Sequence, residues 1–84
     1  MSPRLSRRHW VVDAQPPLSA ARRDAMTRAA RMARHERITR ACRDLGIPVR
    51  SRFASEAEAR AFAARIRAQL PEEPYVGETL SLAL

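Results

Sequence analysis

The stretch that decides the fold is LGIPVRSRF, residues 45–53. Its first part is a helix stop, in which Gly46 supplies the left-handed residue, Ile47 the hydrophobic contact back onto the helix, and Pro48 forbids continuation. The following residues alternate apolar or small side chains with arginines, which is the period of a half-buried strand. A helix therefore ends at Leu45 and leads directly into a strand.

Neighbouring elements follow from similar signals. Residues 8–13, RHWVVD, are aromatic and β-branched, which favours a first strand, and two prolines soon after it prevent its extension. Beyond the junction, Ser55 and Glu58 form a capping box for a second helix, which Pro71 ends. Residues 75–84 alternate again and predict a third strand.

This β-α-β-α-β order predicts a mixed α/β (α+β) fold. We expect a compact three-stranded sheet, mainly parallel or mixed, with both helices packed on one face in a ferredoxin-like arrangement. Residues 1–84 make one small domain, with residues 1–7 as a basic, flexible arm.

The long first helix is the unusual element. Ser19 caps a helix that continues to Leu45, about 40 Å, whereas a five-residue strand spans only about 17 Å. Its first half has an apolar face made of Ala21, Ala25, Ala29, Met32 and Ala33. Its second half has another, about 150° away at 100° per residue, made of Ile38, Ala41, Cys42 and Leu45. Either the helix bends near His35, or one face packs on the sheet and the other packs against something other than the sheet.

The composition excludes several classes of protein. A chain of 84 residues is too short for a multi-domain enzyme, and one cysteine excludes a disulfide framework. No stretch approaches the ~20 apolar residues of a membrane span. A lone thiol fits a reducing compartment, so we expect a cytoplasmic protein. All sixteen basic residues are arginine and the net charge is +7, which favours anionic partners.

Residues with catalytic chemistry are few. His9, His35 and Cys42 do not supply a zinc site at characteristic spacing, and two glycines cannot make a phosphate-binding loop. Cys42 lies on an apolar helix face, which favours a buried structural thiol over a nucleophile. Glu72 and Glu73 indicate a solvated loop rather than a carboxylate dyad. We therefore expect no metal, no cofactor and no enzymatic activity.

An arginine recurs at every third position from Arg28 to Arg43, in a row that winds around the helix because one turn takes 3.6 residues. A solvated face explains this row as well as an interface does. The interface interpretation places an apolar centre ringed by arginines in the far half of the helix. The predicted partner-binding residues are Arg34, Arg37, Ile38, Arg40, Cys42, Arg43 and Leu45.

This interpretation predicts a small, non-enzymatic binding protein whose partner is a protein with an acidic surface or a second copy of the chain. Its size and composition suit a regulator or inhibitor encoded by a phage or plasmid. The alternative is a nucleic-acid-binding regulator that uses the arginine row and the basic arm. The residues predicted for that alternative are Arg4, Arg7, Arg8, Trp10, Arg28 and Arg31.

Overall fold

The centre of the fold is a three-stranded sheet in the order β2-β1-β3. The structure is a computed structural model that describes residues 7–81, with side chains described for residues 8–79. Its elements are β1 (Arg7–Asp13), α1 (Ala20–Ala25), α2 (Arg28–Leu45), β2 (Arg50–Phe53), α3 (Glu56–Ile66), a 3₁₀ turn (Arg67–Gln69) and β3 (Tyr75–Ser81). The predicted mixed α/β class is confirmed, and the order of strands and helical regions agrees with the prediction.

Two of the predictions concern residues near the ends of the chain that the structure does not describe. Most of the predicted arm, including Arg4, lies outside the described residues, as do residues 82–84 of the predicted third strand. Arg7, assigned to the arm from the sequence, already belongs to β1.

Both strand pairings are antiparallel, so the expectation of a mainly parallel or mixed sheet is wrong. Arg50 pairs with Asp13, and the Ala14 N–H donates to the Val49 carbonyl at 2.8 Å. The chain thus returns to the end of the sheet that it left. One continuous helix would carry it to the opposite end and make the next strand parallel, whereas two helices with a turn between them return it to the same end.

The break between these two helices lies just before Thr27 and not near His35, where α2 is continuous. Each helix has its own N-cap: the Ser19 hydroxyl accepts from the Arg22 N–H at 3.1 Å, and the Thr27 hydroxyl accepts from the Ala30 N–H at 3.0 Å. A second cap inside the predicted long helix allows the chain to turn there.

The end of α2 is as predicted. Gly46 has a φ of 71°, and its N–H donates to the Arg43 carbonyl at 3.1 Å. The Ile47 N–H donates to the Cys42 carbonyl at 3.0 Å, which completes a Schellman motif. This motif fixes the direction in which the chain enters β2.

Two hydrophobic cores hold the helices to the sheet. The first core, under α3, has Val12, Ala59, Ala63 and Ile66 at its centre. Partly buried side chains complete it: Trp10, Ile47, Phe53, Phe62, Leu70 and Val76. Because β2 and β3 both run antiparallel to β1, they run in the same direction, and α3 carries the chain from one to the other.

The second core, under α2, consists of Ala14, Ile38 and Cys42. It shares the partly buried Ile47 and Leu70 with the first core, so the two helices are joined through the same side chains. Within residues 7–81, no helix combines the length and apolarity that a membrane crossing requires.

Candidate functional site

The predicted partner-binding residues of α2 divide between the interior and the surface. Ile38 and Cys42 are 0% and 1% exposed in the second core, and Arg34 is buried as well. Leu45 is half-buried, while the side chains of the remaining three are exposed, namely Arg37, Arg40 and Arg43. The apolar centre proposed from the sequence is therefore covered by the chain's own residues, because the Schellman turn brings the end of α2 onto the sheet.

Cys42 has the environment of a structural thiol. Burial, and secondarily the nearby Asp13 carboxylate, raise its pKa. Since the thiolate is the reactive form, both effects disfavour a nucleophile at this position.

Arg34 forms a clamp at the middle of α2. Its Nε and Nη2 donate to the two carboxylate oxygens of Glu72 at 2.6 and 3.1 Å, and Nη2 also donates to the Pro16 carbonyl at 2.6 Å. The guanidinium thereby joins α2 to the loop after β1 and to the loop before β3. The expectation that Glu72 lies in a solvated loop is wrong, because its carboxylate is the partner of a buried arginine.

Electrostatics at Glu72 agree with this geometry. The hydrogen bonds from Arg34 are the main cause that lowers the pKa of the Glu72 carboxyl, and charges on Arg34, Arg22 and Arg37 lower it further against the opposing effect of burial. Arg22 lies 3.8 Å from the same carboxylate and brings α1 to this clamp.

Preceding this clamp is a helical region that contributes nothing to either core. We call residues 20–33, from the start of α1 to the residue before Arg34, the exposed segment. None of its residues is buried, and only Met26 and Arg31 are even half-buried. Met32 is 54% exposed, although large apolar side chains usually gain free energy by burial. The apolar face predicted for the first half of the helix is therefore the uncovered one.

A cleft of about 620 Å³ opens beside Met32. Its lining consists of Gln15, Arg28, Arg31, Met32, His35 and Glu36. It combines a polarizable apolar side chain with two guanidinium groups, an imidazole and a single carboxylate. Such a lining suits an apolar side chain that is flanked by carboxylates.

Hydrogen bonds of Arg31 and His35 fix the walls of this cleft. Arg31 Nη1 donates to the Met26 carbonyl at 2.9 Å and lies 3.4 Å from the Arg23 carbonyl, so this arginine satisfies the end of α1. His35 Nδ1 donates to Gln15 Oε1 at 2.7 Å, which orients the imidazole against the loop after β1. The cleft is held open by groups that have their own structural partners.

Those residues predicted for nucleic-acid binding whose side chains the structure describes belong to two elements, β1 and α2. Arg8 lies 3.8 Å from Glu78, and Trp10 packs against the first core. Arg28 and Arg31 belong to α2 and line the cleft beside Met32.

Among the side chains of residues 8–79, no group of three or more His, Cys, Asp or Glu residues is placed to hold a metal ion. No family model, curated protein or solved structure matches the chain.

Two of these features had signals in the sequence. Arg34 lies four residues before Ile38 and eight before Cys42, so all three share a helix face, and an inward-facing Arg34 follows from that spacing. The apolar face of the first half of the helix consists of alanines and one methionine, whereas that of the second half includes isoleucine and leucine. The smaller apolar surface is the one that the fold leaves uncovered.

Proposed function

We propose that the chain is a small, non-enzymatic binding protein that contacts a protein partner through the exposed segment and its cleft. The observation that carries this proposal is the 54% exposure of Met32 beside a cleft, on a helical region without a single buried residue. Interfaces are enriched in Met and Arg relative to the rest of a protein surface. Both residue types come together here.

Charge favours an acidic partner over a second copy of the chain. Residues 20–45 contain eight arginines and three acidic residues. Two copies that met through this surface would bring like charges together, which costs free energy unless each is compensated. A partner with carboxylates around an apolar side chain complements the same surface.

The shape of the cleft suggests the kind of contact. An amphipathic helix or loop of the partner inserts one apolar side chain next to Met32, and its flanking carboxylates reach Arg28. Exposed arginines further along α2, at Arg37, Arg40 and Arg43, extend the positive surface and accelerate the encounter with an acidic protein. In this proposal they steer the partner, and the cleft anchors it.

A regulatory or inhibitory role agrees with a chain that offers the exposed segment to a partner and carries its one thiol in the interior. A buried free thiol is also suited to a reducing, cytoplasmic compartment.

Site-specific photo-crosslinking tests this proposal. A photoreactive amino acid replaces Met32 in one variant and the exposed Ala61 of α3 in a matched control, and both are exposed to nuclease-treated lysate of the native host. We expect a protein crosslinked from position 32 and not from position 61. The captured protein is then purified, and its affinity for the unlabelled chain is measured.

The affinity measurement with variants of the chain decides whether the captured protein binds at the cleft. Met32→Asp and Arg28→Glu are each expected to weaken binding about tenfold or more, in the range of an interface hot spot, while Ala61→Asp changes it less than about twofold. Equal crosslinking from both positions, no protein product from position 32 in the nuclease-treated lysate, or an affinity unchanged by Met32→Asp contradicts the proposal. Crosslinking only to a second copy replaces the acidic partner with a homodimer.

A further inference from the structure

One face of the sheet takes no part in either core. Successive side chains of a strand point to opposite faces. The cores use Trp10 and Val12 of β1, Phe53 of β2 and Val76 of β3. The alternate positions define what we call the open sheet face: His9, Val11, Asp13, Arg50, Arg52, Tyr75, Gly77 and Thr79.

Tyr75 is the large aromatic side chain on this face, and it is 45% exposed. Its ring lies over Gly77: a Cβ added to that glycine would be 2.5 Å from Tyr75 Cε2 and 2.5 Å from Tyr75 Oη. Gly77 therefore provides the room in which the phenol rests on the sheet. Val11, which pairs with Gly77, is only 4% exposed next to it. The result is an aromatic ring supported by the sheet and accessible to solvent.

Two arginines accompany this ring. Arg50 and Arg52 are exposed on β2, and they are separated by about 6.6 Å along the strand because each residue rises about 3.3 Å. The ion pairs within 4.0 Å among the described side chains include neither of them. Asp13 is the carboxylate on this face, and its Oδ1 accepts from the Gln15 N–H at 2.9 Å. Both guanidinium groups are thus available for an anionic ligand.

We infer that the open sheet face binds single-stranded nucleic acid, with a base stacked on Tyr75 and backbone phosphates held by Arg50 and Arg52. Aromatic side chains on a sheet surface offer such platforms to unpaired bases, and a positive groove follows the backbone. With adjacent strands about 4.8 Å apart, β2 and β3 lie about 10 Å from each other across β1. A short single strand laid across the sheet reaches both the ring and the arginines.

The accessible ring favours a single strand over other anionic ligands. Paired bases in a duplex are stacked on one another and present no free face to Tyr75. An acidic protein segment would pair with the arginines equally well, but its carboxylates have no specific interaction with the Tyr75 ring that lies over Gly77. This inference concerns a different surface from the exposed segment and stands or falls separately from the proposed function.

Fluorescence anisotropy with a labelled oligothymidylate of about twelve nucleotides tests the inference, since single-strand sites span roughly 4–16 nucleotides. We expect binding at about 50 mM salt that weakens log-linearly as salt rises. Tyr75→Ala is expected to weaken it at least about fivefold through lost stacking, whereas Tyr75→Phe keeps the ring and retains most of the affinity. Gly77→Ala is expected to weaken it as well, because the new methyl group displaces the ring.

Charge-matched variants separate this face from the helices. The double variant Arg50→Gln/Arg52→Gln is expected to weaken binding and to reduce the slope of log affinity against log salt by about 1.4, at about 0.7 per phosphate contact. Arg40→Gln/Arg43→Gln removes the same charge from α2 and is expected to change affinity less than about twofold.

The inference is overturned if the native chain does not bind at about 50 mM salt, or if it binds a duplex of the same length with equal affinity. It is also overturned if Tyr75→Ala leaves the affinity unchanged, or if the two double variants lose the same amount of affinity for the oligonucleotide. An NMR titration of the native chain needs no variant to fold: shifted amides on β1, β2 and β3 support the inference, and shifts confined to α1 and α2 contradict it. A dimer in sedimentation that Tyr75→Ala dissociates, without oligonucleotide binding, assigns the face to self-association instead.

Discussion

The two halves of α2 carry the same repeat of arginines and have opposite roles. Residues 34–45 contain Ile38 and Cys42, both buried, and begin with a buried arginine in a clamp. Residues 28–33 contain no buried residue, and Met32 lies exposed beside a cleft. The difference shows that the spacing of the arginines does not determine which half of the helix is buried. The buried half is the one with the larger apolar side chains between its arginines.

The largest expected effect lies at Ile38. Ile38→Ala removes methylene groups from a site that is 0% exposed and is expected to lower the free energy of unfolding by about 3–4 kcal/mol. Met32→Ala, the matched change in the other half, is expected to alter it by less than about 0.5 kcal/mol. Urea denaturation followed by far-UV circular dichroism measures both. Similar losses for the two variants would mean that Met32 also belongs to a core.

The clamp between Arg34 and Glu72 gives the next effect. Glu72→Gln leaves a buried guanidinium without its counter-charge and is expected to cost about 2–3 kcal/mol at pH 7, somewhat less than a fully buried pair because Glu72 retains some exposure. The double variant Arg34→Met/Glu72→Gln is expected to be more stable than Glu72→Gln alone. If the double variant is the less stable one, the unpaired charge is not the cause of the loss.

The same carboxylate makes stability depend on pH. Because the pKa of Glu72 is lowered in the folded chain, its contribution is complete above the ordinary glutamate value of about 4.3 and is lost as pH falls through the lowered value. The difference in stability between the native chain and Glu72→Gln is therefore expected to narrow steadily below about pH 4.3. Denaturation series from pH 7 to pH 3 measure it, and a constant difference would contradict the clamp.

Caps at the two ends of α2 give the smaller effects. Gly46→Ala forces a side chain into the left-handed region at φ 71° and is expected to cost about 1 kcal/mol. Thr27→Ala removes the N-cap of the exposed half and is expected to cost about 0.5 kcal/mol, mostly as fraying of the first turn. Thermal unfolding measures the loss of stability in both variants. A greater loss for Thr27→Ala than for Gly46→Ala would mean that the exposed half of α2 contributes more to stability than the buried half.

Local signals predicted much of this fold. The Schellman stop at Gly46, the Ser55 cap and the alternation in the strands were sufficient for the order of the elements and most of their bounds. The direction of the strands was not accessible in this way, because it depends on whether the chain turns between β1 and β2. The only local signal for that turn was Thr27, one cap residue in an otherwise helical pattern.

The candidate site was less predictable for a related reason. Periodicity revealed two apolar faces on the helix, but only the tertiary fold decides which of them the sheet covers. Glu72 comes 38 positions after Arg34, so their pairing had no signal in sequence spacing. Likewise, Tyr75 and Gly77 share one face of a strand by alternation, but the placement of the ring over the glycine required the structure.

Thiol counting in the Met32→Cys variant compares the two halves of α2 in one molecule, because it places one cysteine in each half. We expect one thiol, at position 32, to react rapidly with an aromatic disulfide reagent in the folded chain. The second thiol, Cys42, is expected to react only when the chain is denatured. Two rapidly reacting thiols in the folded chain, or two protected ones, would contradict the division of α2 into a half that builds the core and a half that is left for a partner.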